Sequence, residues 1–213
     1  MYWKKPIVVW EYKNAMKEMM YYQYLPIKLS WYVFISIEKR IEQFEDLIEE
    51  INTDFIKRFW FEKYQKSNIY LTIKRQYIKP WVIFNRPWWH SDWFWTDDIN
   101  YIWSDCIWTV FNFSDFTLSG EENLSLVDME KQVKNENDFI FPDWSILLLD
   151  QYSIHRVQDP NDTILRTFVK ISFSDDIYDL QGNSHNYEID YNWDLRERKK
   201  YRNVPQITNN PPR

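Results

Sequence analysis

Three short stretches hold the residues that could do chemistry. Arg86-Pro87-Trp88-Trp89-His90-Ser91-Asp92-Trp93 contains a His-x-Asp pair. Leu147-Leu148-Leu149-Asp150-Gln151-Tyr152-Ser153-Ile154-His155-Arg156-Val157 sets a second His at the end of an apolar, strand-like run. A third, Leu165-Arg166-Thr167-Phe168-Val169, puts an Arg inside a further strand, eleven residues after that His. The i, i+2 spacing of His90 and Asp92 places both side chains on one face of a strand, within reach of one ion. Two imidazoles and one carboxylate leave open positions on a metal, which suits non-haem Fe(II) and O2 chemistry. An Arg guanidinium is a fixed two-pronged donor for a carboxylate. The set reads as an iron site ligated by His90, Asp92 and His155, with Arg166 holding a carboxylate co-substrate beside it.

A lone His on an apolar strand is more often a satisfied core residue than a ligand. Here the chain has only three His, and two of them fall at the two motif positions. The third, His185, lies in Gly182-Asn183-Ser184-His185-Asn186, a loop composition, and reads as exposed.

At these residues the chain resembles the Fe(II)/2-oxoglutarate-dependent oxygenase family. That family's order is His-x-Asp, a distal His, then an Arg on a late strand. The matching positions are His90, Asp92, His155 and Arg166. Ser119-Gly120-Glu121-Glu122-Asn123-Leu124 resembles the Gly-Gly-Glu-Leu turn that often precedes the next strand. Pro142-Asp143-Trp144-Ser145-Ile146-Leu147-Leu148-Leu149 resembles the lead-in to the distal His, and His155-Arg156-Val157 matches a common His-Arg-Val form. The resemblance covers about residues 80–175. It departs at Ser119, where Gly is usual, at Ser145, where a smaller residue is usual, and at Phe168, where one subgroup has a Ser two residues after the Arg. A hydroxyl that helps to bind the co-substrate must then come from elsewhere.

The resemblance implies a double-stranded β-helix holding Fe(II), with 2-oxoglutarate and O2 as co-substrates. Asp92 stands where related halogenases carry a small residue that leaves room for halide. Hydroxylation, or a related oxidation such as desaturation or ring closure, is therefore implied. The family's nucleic-acid demethylases carry a second Arg in an Arg-x-Asn-x-x-x-x-x-Arg pattern, which is absent after Arg166. The substrate implied is a small molecule, such as an amino acid or natural-product intermediate, or a peptidyl side chain.

The residues around the motif supply candidates for binding that substrate. Alternation puts Arg166, Phe168, Lys170 and Ser172 on one face of their strand, and Leu165, Thr167, Val169 and Ile171 on the other. An inward-facing Arg needs a partner. The plainer alternative for Arg166 is a surface residue or the partner of a local Asp. Lys170 shares its face and is a weaker stand-in for the same role. Trp93, among the many Trp near the first motif, is a candidate to line the substrate pocket. Arg86 and Arg156 flank the ligands and are candidates to hold a substrate carboxylate, and Asp97 and Asp98 to hold an amine. The plainer reading of the Trp cluster is core or lid, and of these charges, surface.

A chain of 213 residues makes one domain that can bury a sizeable core. Aromatics make up 20% of it, with 13 Trp and only 2 Gly, which fits a β-rich fold. The net charge of −6 argues against broad nucleic-acid affinity. The single Cys106 excludes an internal disulfide framework and is compatible with a reducing cytoplasm. No signal peptide and no run of roughly 20 apolar residues is evident, so a cytoplasmic protein without a membrane span is expected.

The elements that must position the site divide the chain into support at 1–66, a β-core at 67–175 and an extension at 176–213. Ile7–Trp10 and Trp31–Ile35 read as strands, and Met16–Tyr24 as a short helix. Ile37, Ile41, Phe44, Ile48, Ile51, Phe55 and Phe59 form one apolar stripe at helical period, with Ser36 as N-cap. From residue 68 the period changes to two. Strands are expected at 69–73 and 81–84, then at about 107–113, 123–128, 139–141, 146–150 and 164–173, with a loop on Gly120 and an exposed connection at 130–138. The expected class is mainly β: a double-stranded β-helix (jelly-roll, cupin-like) core buttressed by N-terminal helices. The basic run from Arg196 to Arg202 reads as a solvated tail or a contact to an acidic partner. Two other functions fit such a chain: a non-catalytic β-barrel binding module that keeps the fold, and a metal-dependent isomerase or dioxygenase of the wider cupin type, which usually uses more His ligands.

Overall fold

Alternating apolar and polar residues in Asn68–Ile78 and Ile164–Ser174 make two long strands, β3 and β9. They pair antiparallel without interruption, from Asn68 opposite Ser174 to Ile78 opposite Ile164. The computed structural model that contains them describes residues 4–14, 18–80, 88–92, 96–106, 109–120, 122–158 and 160–198. The other strands are β1 (Ile7–Glu11), β2 (Met20–Lys28), β4 (Ile99–Ser104), β5 (Thr109–Asn112), β6 (Asp138–Phe139), β7 (Ser145–Leu149) and β8 (His155–Val157). They form a six-stranded sheet in the order β1-β7-β4-β9-β3-β2 and a three-stranded sheet in the order β6-β5-β8. Every pairing between named strands is antiparallel. The pairings are nested. β3 meets β9, His90 bridges His155, β4 meets β7, and β5 meets β6. The chain between residues 68 and 174 thus folds back on itself from the outside inward.

The two faces of the large sheet bury different things. One face carries Leu71, Ile73, Trp103, Ile146, Val169, Ile171 and Phe173 against the helix α1 (Glu45–Lys66) and the 3-10 turn Lys39–Phe44 before it. The helical stripe holds: Ile41, Phe44, Ile48, Ile51 and Phe55 are buried there, and Ile37 and Phe59 pack at its margins. Phe55 stacks flat on Phe173 with ring centroids 3.7 Å apart. The other face turns Ile102, Leu147, Leu149 and Phe168 toward Phe111 and Phe141, between the sheets. A third cluster, Trp89, Val110, Phe116, Met129 and Ile154, contains Met129 of the helix α2 (Glu122–Gln132). Val110 and Phe111 are neighbours on β5 and point to opposite faces, so α2 covers the outer face of the small sheet.

The support regions differ from expectation. Residues 20–24 continue into β2 rather than a helix, since Tyr21, Tyr22 and Tyr24 suit a strand and β3 offers an open edge. Residues 31–35 form no strand; Trp31 N–H donates to Gln65 O and turns the segment onto the end of α1. Ser36 is not a cap, because the 3-10 turn begins only at Lys39, with Glu38 at the capping position, while Ser36 N–H donates to Ile27 O. The strand expected at 123–128 is the helix α2 instead, which runs on into the connection expected at 130–138. Leu124 and Val127 are exposed, while Ser125 and Met129 are buried at helical spacing. One N-terminal helix, kinked at Trp60, supports the sheet rather than several, and β1 and β2 widen the sheet itself. The run at 81–84 lies outside the described residues. The extension folds back: Asn186 is buried and donates to Pro26 O, and Tyr178 stacks on Tyr70. No helix among the described residues is long and apolar enough to cross a membrane.

Phe55 is fully buried against Phe173. Phe55→Ala should cost about 3–5 kcal/mol in urea unfolding, while Phe34→Ala, at a residue 83% exposed, should change stability by less than about 0.5 kcal/mol.

Candidate metal centre

The two His are brought together by backbone. His90 N–H donates to His155 O at 3.0 Å, and His155 N–H donates to His90 O at 2.8 Å. Residues that exchange both bonds lie directly opposite, with their side chains on one face. The rings accordingly stand 4.6 Å apart. His155 starts β8 after a turn in which Ser153 N–H donates to Asp150 O and Tyr152 N–H to the Asp150 carboxylate. The segment before His90 is tied to α2, where Trp89 N–H donates to Glu130 Oε1 at 2.8 Å.

Each ring is also oriented by backbone. His90 Nδ1 lies 2.7 Å from Trp88 O, and His155 Nδ1 lies 3.0 Å from Ser153 O. A carbonyl only accepts, so both Nδ1 atoms carry the proton and both Nε2 atoms carry the lone pair. This is the arrangement of a metal-ligating His, in which the second nitrogen fixes ring and tautomer. Asp92 completes the group. The donor atoms of His90, Asp92 and His155 all lie within 4.8 Å of one another, so the cluster could hold a metal ion. Small side-chain rotations would bring them to bond lengths of about 2.1 Å.

Asp92 meets a cation from the large sheet. Lys170 Nζ lies 2.6 Å from Asp92 Oδ2, and the lysine is buried. Burial alone would raise the Asp92 carboxyl. The Lys170 ammonium beside it outweighs this and holds the carboxyl far below the usual carboxylate range. Burial likewise works against the Lys170 ammonium, and Asp92 more than compensates, so its proton is held more tightly than usual. Asp92 is therefore ionised, as a ligand must be.

Arg166 lies deeper along the same face of β9. It is buried, its Nε donates to Ser104 Oγ at 3.1 Å, and its guanidinium lies 5.0 Å from the centre of the Phe168 ring. Burial pushes its guanidinium down to about 10, against the favourable fields of Cys106 and Asp105. It lines a narrow cleft with Ser104, Thr109, Phe111, Phe141 and Phe168. Phe111 also lies 5.6 Å from the His155 ring, so the cleft runs from Arg166 to the wall behind the ligand cluster. Ser104 on β4 sets a hydroxyl beside Arg166, and this hydroxyl in turn donates to the carbonyls of Cys106 and Thr167.

The remaining candidates sit elsewhere or outside the described residues. Arg156 alternates with His155 on β8 and points to the outer side, over the Trp89 ring at 4.7 Å and 3.9 Å from Asp138. Asp98 is buried and accepts from Tyr178 Oη at 2.7 Å. His185 is exposed, as its loop composition suggested. Arg86 and Trp93 lie outside the described residues. Lys170 as the partner of Asp92 was not read from sequence. Its place on the Arg166 face was legible, but its distance to Asp92 depends on how the two sheets pack.

Compared with known proteins, the chain matches no family model, no curated protein and no solved structure.

The cluster should bind one equivalent of Zn(II) or Co(II) per chain by calorimetry, and His90→Ala or His155→Ala should abolish it. Lys170→Met strands the Asp92 charge and should cost about 3–5 kcal/mol in the metal-free protein. Thermal melts with and without Zn(II) should show this loss shrinking when the metal neutralises Asp92.

Proposed function

We propose that the chain is an Fe(II)/2-oxoglutarate-dependent oxygenase on a double-stranded β-helix, hydroxylating or otherwise oxidising a small molecule or a peptidyl side chain. The observation that carries this reading is the convergence of His90, Asp92 and His155, with both Nε2 lone pairs and an ionised carboxylate available to one ion. This donor set fits Fe(II) and leaves positions for two further ligands and O2. The nested pairing supports the fold. Eight core strands counted from β3, with the segment at His90 as the second, pair first with eighth, second with seventh, third with sixth and fourth with fifth. A jelly roll wound as a double-stranded helix would pair its strands in this order, which supports the fold proposed.

Bound there, Fe(II) would supply the redox chemistry, in which 2-oxoglutarate and O2 become succinate and CO2 and one oxygen atom enters the substrate. The protein's own part is positional. Arg166 binds the far carboxylate of 2-oxoglutarate, held in place by Ser104 and the Phe168 ring. Phe111, Phe141 and Phe168 line the cleft and exclude water. Lys170 holds Asp92 ready and ionised.

One observation favours a second reading, a non-catalytic binding module. Lys170 already neutralises Asp92, as a metal ion would. Anaerobic titration with Fe(II) and 2-oxoglutarate separates the two. The oxygenase should give a weak visible metal-to-ligand charge-transfer band that His155→Ala abolishes. Arg166→Ala should raise the 2-oxoglutarate Kd about 30-fold or more, a loss of about 2 kcal/mol or more. Absence of both band and Fe(II) binding in the wild type would hand the lead to the binding module.

A further inference from the structure

An aromatic surface stands in water at the C-terminal end of α1. Trp31, Tyr32, Phe34, Trp60 and Phe61 are each between 46% and 83% exposed. Their two segments are joined. Trp31 N–H donates to Gln65 O, and Tyr64 Oη donates to Val33 O at 3.4 Å. The Phe61 and Tyr64 rings stand 6.0 Å apart, and Trp60 adjoins Phe61 at the kink of the helix. Lys28, fully buried, fixes the joint from below. Its ammonium donates to the carbonyls of Leu29, Gln65 and Ser67 and lies 4.9 Å from the centre of the Tyr64 ring. The segment at 31–34 is therefore held against the end of α1.

The backbone is strained where it presents these rings. Trp31 has φ 68°, and Trp60 has φ 70° and ψ 153° inside the helix. A bulky side chain is rarely found at such φ, and the second combination is essentially reserved to glycine. Both rings nonetheless stay mostly in water.

The area points to the kind of partner. At about 200 Å² per aromatic side chain, these exposed fractions leave about 700 Å² of ring in water. That exceeds the roughly 300–600 Å² of the largest apolar patch on a typical monomer. It is close to the roughly 800 Å² that each partner gives to a standard protein interface, where Trp, Tyr and Phe are enriched. The nearby charges of α1 include both signs in pairs: Arg58 lies 2.7 Å from Asp54, and Lys66 2.7 Å from Glu62. With a net charge of −6, the chain lacks the basic excess that draws an aromatic surface to an anionic membrane. A protein surface of matching composition fits better, and the chain itself carries one.

We propose that a second copy of this chain docks here, in a two-fold dimer that buries residues 31–34 and 60–61 of each copy against those of the other. The ligand cluster lies on the opposite face of the large sheet from α1, so neither copy covers the other's site. The dimer does not rest on the oxygenase reading, and the metal-free chain suffices to test it.

Sedimentation velocity of the full chain over a hundredfold range of concentration should show a dimer at the upper end. Trp60→Gly suits the backbone at the kink and removes the ring. Phe34→Glu places a charge in the patch at a residue that the monomer does not bury. Each should weaken the dimer at least tenfold, while at a dilution where the chain is monomeric both variants unfold in urea no earlier than the wild type. The proposal is overturned if the wild type is monomeric throughout, or if either variant dimerises like the wild type. Binding of a monomeric wild type to phosphatidylcholine or phosphatidylserine vesicles would assign the patch to lipid and overturn the dimer. Should the variants fail to fold, hydrogen exchange of the wild type takes their place. Amides at 31–34 and 60–61 should exchange more slowly as concentration rises, and exchange that ignores concentration overturns the proposal.

Discussion

The register of β3 against β9 governs everything built on it. Side chains alternate strictly along a strand, so a slip by one residue would turn every one to the other side. In the observed register Val169, Ile171 and Phe173 meet α1, and Arg166, Phe168 and Lys170 face the space between the sheets. A slip would bury Arg166 and Lys170 against Phe55 and its neighbours, with no partner for either charge. Burial of an unpaired charge is among the largest penalties a fold can meet. The two opposite demands, apolar on one face and cationic on the other, therefore fix the pairing more firmly than either would alone.

Much of this was legible in the sequence because it follows from local spacing. The stripe from Ile37 to Phe59 marks the helix that covers the sheet. The alternation through Leu165–Ser172 separates the two faces of β9 correctly. The convergence of His90, Asp92 and His155 follows from motif order. What was not legible depends on surroundings. Leu124 and Leu126 alternate with polar neighbours like a strand, but the small sheet is covered by Met129 on a helix. Tyr21 to Tyr24 lie next to a helix-forming run, and the free edge of β3 decides for a strand. The pairing of Lys170 on β9 with Asp92 in the turn after His90 joins residues 78 apart, and no local pattern encodes it.

The interior also shows how a polar site is tolerated inside an apolar shell. Arg166 rests on Phe168 and donates to Ser104; Lys170 pairs with Asp92; Ser172 donates to Asn100. Each contact crosses from one strand or segment to another, except the ring beneath Arg166. The polar strip thus cross-links β9 to β4 and to the His90 segment while the aromatic residues beside it keep bulk water out.

The two imidazole tautomers are set by the carbonyls of Trp88 and Ser153, each two residues before its ring. In many metal sites a carboxylate side chain does this work, and one mutation can remove it. Here every amino acid at positions 88 and 153 would present the same carbonyl, so drift at either position leaves the donor atoms aimed as they are. The orientation is inherited by the path of the chain rather than by any side chain. A protein built this way can change most of its sequence while His90 and His155 keep the same nitrogens turned inward.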